Sequence, residues 1–140
     1  MLITKFYSAD MCVKYSELKP DQIISTQKFS LDESFVRHYL QSTRDKAATK
    51  NIKFAPPMSL AALAVRAAVN DLQIPGGTLH LTQEVEFFGP FPIGESIFCT
   101  ATLLQNSVRA GMRIMVIGLV IKNNTESQIM SGKSTITLPI

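Results

Sequence analysis

The chain has no tryptophan, and only two cysteines and two histidines occur among its 140 residues. Cys12 and Cys99 stand far apart without ligand-like spacing. That argues against a disulfide framework or a cysteine-based metal centre and fits free thiols in a reducing compartment. No metal site and no glycine-rich nucleotide loop are read from the sequence. Runs of like charge are missing too. The basic residues (Lys5, Lys14, Lys50, Arg66, Arg109, Arg113) are scattered without aromatic interleaving, and the formal net charge is only +3, so no nucleic-acid partner is expected. Residues 1–20 carry Asp10, Lys14 and Glu17 instead of a continuous apolar stretch, and no apolar run is long enough to cross a bilayer. Neither a signal peptide nor a membrane partner is expected, and a cytoplasmic location is. With no Pro-rich or Gly/Ser-rich linker, residues 1–140 read as a single domain, and a 46% hydrophobic content is enough for a sizeable core.

What the chain does have is a segment from Ala55 to Leu72 that reads as a helix apolar almost all the way round. Between Met58 and Leu72 its polar residues are Ser59, Arg66, Asn70 and Asp71, and the first three share one narrow stripe. Such a helix is normally buried. Pro57 suits its first turn, where the missing amide would be an orphan anyway, and Pro75-Gly76-Gly77 punctuates the far end. Arg66, rarely left unpaired if buried, is expected to meet Glu84, Glu86 or a partner chain.

Around this helix the sequence predicts strands. Residues 23–29 form a short one. Ser30 to Glu33 matches a capping box that opens a helix with Leu31, Phe35, Val36, Tyr39 and Leu40 on one face, running to about Gln41. A polar loop of about a dozen residues follows, from Ser42 to Ala55, a length that is usually functional or mobile. Leu79, Leu81, Val85 and Phe87 alternate with His80, Thr82, Glu84 and Glu86, the period of a half-buried strand. Strands over 79–88, 96–107, 112–122 and 128–138 with turns between them read as an antiparallel meander. The expected class is α+β, an antiparallel sheet wrapped around a central α-helix.

That order resembles the hot-dog fold, and particular segments resemble the MaoC-like family of (R)-specific enoyl hydratases and 3-hydroxyacyl dehydratases. "APPMSLAALAVRAA" is similar to the start of that family's central helix. "LHLTQEVEFFGPFPIGESI" resembles its next strand and turn, and "VIKNNTESQIMSGKSTITLP" its final hairpin. "YSELKPDQIISTQKFSLDESFVRHYLQSTRD" resembles its first strand and helix. The resemblance implies acyl-thioester chemistry: water added to, or removed from, an acyl chain carried on coenzyme A or an acyl carrier protein. It implies a homodimer, or a heterodimer with a similar chain, and no cofactor beyond the substrate's carrier. In the family an Asp and a His within Gly-Asp-x-Asn-Pro-x-His hold a water and move its proton, while amides at the start of the central helix polarise the thioester carbonyl.

On this chain Asp45 takes the position of the family's Asp. Arg44 replaces the Gly, Ala47 and Ala48 replace Asn-Pro, and Lys50 replaces the His; no histidine occurs between His38 and His80. The standard dyad is therefore incomplete. Asp45 is the candidate acid/base group. Met58 and Ser59 offer helix-start amides to a substrate carbonyl, and Lys50, with Lys53, offers charge to a carrier's phosphates. His80 is a possible proton shuttle or a strand-face residue, and His38 reads as structural. Two functions stay open: a hydratase/dehydratase relying on Asp45, a hydro-lyase in its own right, and a non-catalytic acyl-thioester-binding or structural subunit that partners a catalytic chain. A thioesterase, with Asp71 as the helix carboxylate, ranks below both.

Overall fold

The computed structural model describes residues 4–5, 14–46 and 52–140. Its elements are β1 (Thr4–Lys5), β2 (Ile23–Ser30), α1 (Glu33–Thr43), α2 (Pro57–Leu72), β3 (Leu79–Phe87), β4 (Ser96–Arg109), β5 (Met112–Asn123) and β6 (Gln128–Pro139). The strands form one antiparallel sheet in the order β1-β2-β4-β5-β6-β3. Only β4, β5 and β6 make a meander. The turn between β3 and β4 predicts that these two pair, but they do not; β3 lies at the far edge against β6. The connection over residues 88–95 is too long and proline-rich for a tight hairpin, and the side of β4 it would need is taken by β2. The 88–95 segment pairs instead with the chain before α2: Ala55 N–H donates to Phe91 O at 2.8 Å and Ile93 N–H to Lys53 O at 3.0 Å.

α1 starts two residues later than the capping box implies. Ser30 is still in β2, paired with Ser96. The N-cap is Asp32, whose side chain accepts from Phe35 N–H at 2.7 Å. Glu33 then sits in the first turn, where its charge suits the helix dipole.

α2 packs across the inner face of β2, β4, β5 and β6. Leu60, Leu63, Ala64, Ala67 and Ala68 are buried against Cys99, Ala101, Leu103, Met115, Ile117 and Leu119 of the sheet. The alanines let the helix sit close to the strands, and each buried leucine contributes roughly 1.5–3 kcal/mol. Rotation of α2 is fixed by Asp71, whose Oδ2 accepts from Ser25 Oγ at 2.7 Å and Gln27 Nε2 at 3.0 Å, both on β2. These bonds place Asp71 as the pin between helix and strand.

The wrapping is one-sided. Met58, Ala62, Arg66 and Asn70, four apart along α2, form an exposed stripe, whereas Ser59 is fully buried. Arg66 accordingly needs no buried partner and makes no ion pair with Glu84 or Glu86. Exposed apolar side chains also lie on the edge strand β3, where Leu79 and Leu81 are 58% and 52% exposed.

Candidate functional site

The end of α1 sets the geometry around Asp45. The Arg44 N–H donates to Gln41 O at 3.1 Å and the Asp45 N–H to Leu40 O at 3.0 Å. This pair of bonds is a Schellman stop, which needs a left-handed residue at its penultimate position. Arg44 supplies it at φ 55° and ψ 31°. A glycine is the natural occupant of such a site, so the position where this chain carries Arg44 is one where the backbone, not the side chain, makes the demand. The consequence is that Asp45 leaves the helix end at a fixed angle.

Asp45 borders a groove of about 400 Å³ whose floor is Leu40 and Ile52 and whose rim carries Arg37, Arg44 and Lys46. Arg37 is also held by Glu33, one turn back on α1, through Nε at 2.8 Å and through Nη2. The rim is cationic, and Asp45 is the acid within it. Neither histidine lines this groove. His38 is exposed on α1. Lys50 lies outside the described residues. Lys53 is exposed, and its carbonyl is held by the bridge to Ile93.

The start of α2 is a second location. Ser59 N–H donates to Pro56 O at 2.9 Å, and Ser59 Oγ donates to the same carbonyl at 2.6 Å. The Ser59 amide is therefore already engaged, and of the two helix-start donors it is Met58 N–H that has no partner among the described residues. Neither Met58 nor Ser59 lines the Asp45 groove.

His80 occupies a third location. The register of β3 against β6 slips between His80 and Thr82, so Leu81 is an extra residue. Such a bulge moves everything before it to the opposite face. Gln83, Val85 and Phe87 stand opposite Ser134, Gly132 and Met130 on the inner face; beyond the bulge it is His80, opposite Ile136, that faces inward. Its Nε2 lies 3.0 Å from Ser134 Oγ and 3.0 Å from Thr82 O. The sequence could not give this phase change, because Leu79, Leu81, Val85 and Phe87 keep strict alternation. The only cue is Gln83, a polar residue interrupting that series.

Together the wrapped helix, the strand order and the position of α1 define a hot-dog fold. Solved structures with that architecture include the unliganded R-hydratase PhaJ1 from Pseudomonas aeruginosa (TM-score 0.73, 22% identity, 90% of this chain and 85% of that one). They also include a MaoC-like dehydratase from Rhodospirillum rubrum (TM-score 0.71, 13% identity, 91% and 97%). A third is the C-terminally truncated HadBC (3R-hydroxyacyl-ACP dehydratase) complex from Mycobacterium tuberculosis (TM-score 0.72, 14% identity, 87% and 98%). No protein-family model matches the chain, and a sequence search among curated proteins finds no match. Among the described residues no helix is long and apolar enough to cross a membrane, and no cluster of His, Cys, Asp or Glu could hold a metal ion.

Proposed function

We propose that this chain is an acyl-thioester protein of the hydratase/dehydratase kind, with Asp45 as its acid/base group. The observation that carries the reading is the placement of Asp45. A Schellman stop turns it out at the mouth of a groove with an apolar floor and a cationic rim. The apolar floor suits an acyl or pantetheine chain, and Arg37, Arg44 and Lys46 suit the phosphates of coenzyme A or a carrier arm. Met58 N–H, at the positive end of α2 but outside this groove's lining, would polarise the thioester carbonyl only where the bound chain extends from the groove to that helix start. In hydration, the Asp45 carboxylate would take a proton from the water whose oxygen bonds the β-carbon of the enoyl group, and the carboxylic acid so formed would deliver a proton to the α-carbon, which restores the carboxylate.

A second reading is favoured by one observation: neither His38 nor His80 lines the Asp45 groove. In that reading the chain is the binding half of a pair, and a similar chain with an intact Asp-x-Asn-Pro-x-His segment supplies catalysis. The open β3 edge with Leu79 and Leu81 would be its docking strand. The HadBC complex is an assembly of this architecture.

One assay separates the readings. The purified chain alone is given crotonyl-CoA and longer enoyl-CoA substrates. Hydration that drops roughly a hundred- to ten-thousand-fold in Asp45→Asn, with acyl-CoA binding retained, establishes the first. Binding without turnover by the wild type establishes the second. Absence of acyl-CoA binding removes both.

A further inference from the structure

β5 breaks a pattern that its neighbours keep. An antiparallel strand with one face on the core and one in water alternates apolar and polar residues. β2, β3 and β6 do so over most of their length, with Thr26, Lys28, Glu84, Glu86, Ser131 and Thr135 among their outward positions. From Ile114 to Ile121, β5 has no polar side chain at all. Met115, Ile117, Leu119 and Ile121 are buried on the inner face. Ile114, Val116 and Val120 therefore point outward, away from α2, and are only half-buried.

The one gap in this outward row is Gly118, and Leu104 fills it. Leu104 is the extra residue where the β4–β5 register slips between Leu103 and Gln105. A Cβ on Gly118 would meet the Leu104 side chain at 3.2 Å, so the leucine lies over the glycine, and it is 41% exposed. Phe98 prolongs the ridge toward β2, where Lys28 Nζ stands 5.5 Å from the ring centroid. α2 occupies the opposite face of the sheet, and the exposure of Leu104 shows that the ridge faces solvent. Contiguous apolar surface of this kind marks an interaction site.

We propose that a second copy of the chain packs on this ridge, sheet against sheet, about a two-fold axis running along β5. Charge favours a copy of the chain itself. Lys28 lies on β2 to one side of the ridge, and Glu84 and Glu86 lie on β3 to the other. The two-fold axis lays β2 of one copy over β3 of the other. It sets ridge on ridge and brings Lys28 within one pleat of Glu86 of the second copy, at both ends of the contact. Lys122, where the ridge ends, approaches its own copy and stays in solvent at the rim, which limits the affinity. Area agrees. At about 4.8 Å between strands and 3.4 Å per residue, a face five strands wide and nine residues long covers about 700 Å². A stable interface takes roughly 800 Å² from each partner. The sheet curves around α2, so its margins meet less closely than its centre, and the contact belongs among the weak ones. It is distinct from the β3 edge and does not depend on the acyl-thioester reading.

The test is sedimentation velocity of the full chain from about 10 μM to about 1 mM, the range in which a contact of this size fills. The mass of the species present at the low end should double toward the high end. Val116→Lys should abolish the doubling while leaving the low-concentration species and the thermal unfolding midpoint unchanged; Val120→Lys gives the same reading should Val116→Lys fail to fold. Leu79→Lys with Leu81→Lys should leave the doubling in place, which separates this surface from the β3 edge. Lys28→Glu should weaken the doubling at least about threefold, and adding Glu86→Lys should restore it. Constant mass up to about 1 mM, a doubling that survives both valine variants, or one lost with the β3 leucines would overturn the proposal. A charge swap that restores nothing would overturn the two-fold arrangement on which it stands.

Discussion

Arg44 shows how a single residue can be read only once its backbone is known. In sequence it is a departure from a glycine; in structure it is a side chain held at φ 55°, where an L-residue is strained by roughly 1–2 kcal/mol. Arg44→Gly should therefore raise stability by about 0.5–1 kcal/mol, the relief being partly offset by the glycine's extra freedom in the unfolded chain. Urea unfolding of both proteins measures it; a loss of stability would mean that the groove-side contacts of Arg44 outweigh its strain. Cys99 makes a second prediction. It is buried, and burial raises its thiol from the ordinary 9.0 to about 12. A raised folded pKa contributes stability that is complete below the unfolded value and is lost as pH climbs toward the folded one. Between about pH 9 and 12 this thiol should steepen the fall in stability by up to about 1.4 kcal/mol per pH unit. The excess slope of the wild type over Cys99→Ala in that window reports it. Below pH 9 the native thiol should resist alkylating reagents until the protein unfolds.

At the level of elements, the period of the pattern decided what could be read. α2 runs over Pro57–Leu72 as the apolar segment indicates, and β3 to β6 fall within a residue or two of their expected bounds, because burial on one face imposes a period that composition displays. Partnership is not written in that period. The neighbours of β3 and β4 follow from where α2 carries the chain and from the length of the 88–95 connection. The bulge at Leu81 is silent in the alternation for the reason given above. That Asp45 follows directly on the end of α1 was legible from the helix pattern; its separation from Met58 and His80 was not, since it depends on which cavity each faces. The β3–β6 pair also has a built-in point of weakness. A Cβ added at Gly132 would stand 2.4 Å from Glu84 O, a backbone atom of the facing strand. Gly132→Ala should therefore cost about 1–3 kcal/mol by pushing β3 off β6. Hydrogen exchange should show the loss of protection concentrated in residues 79–87. A uniform loss across the sheet would contradict this.

For the whole molecule, the two ends of the sheet are unequal. β1 covers the outer side of β2, while β3 presents nine residues with one side unpaired among the described residues. Leu79 and Leu81 stand exposed there. Edges of that length and apolarity are usually covered, and a second hot-dog chain, identical or similar, is the occupant that the second functional reading requires. Sedimentation at micromolar concentration should find a dimer, alone or with its partner chain. Leu79→Lys with Leu81→Lys should weaken it at least about tenfold without unfolding the protomer, because both side chains are already half in solvent. A wild type that remains monomeric with every similar chain offered would count against the pairing.

The position of β3 also governs when the molecule can finish folding during synthesis. Its partner among the described residues, β6, begins at Gln128, some forty residues after β3 ends at Phe87. At the usual 5–20 residues per second, about two to eight seconds pass between the two leaving the ribosome. Through that interval the strand that follows α2 lacks the neighbour it has in the sheet, and its two leucines are available to other nascent chains. The dependence of this protein on chaperones, or on translation speed, should therefore be set by the stretch between residues 88 and 128 and not by the helix at its centre.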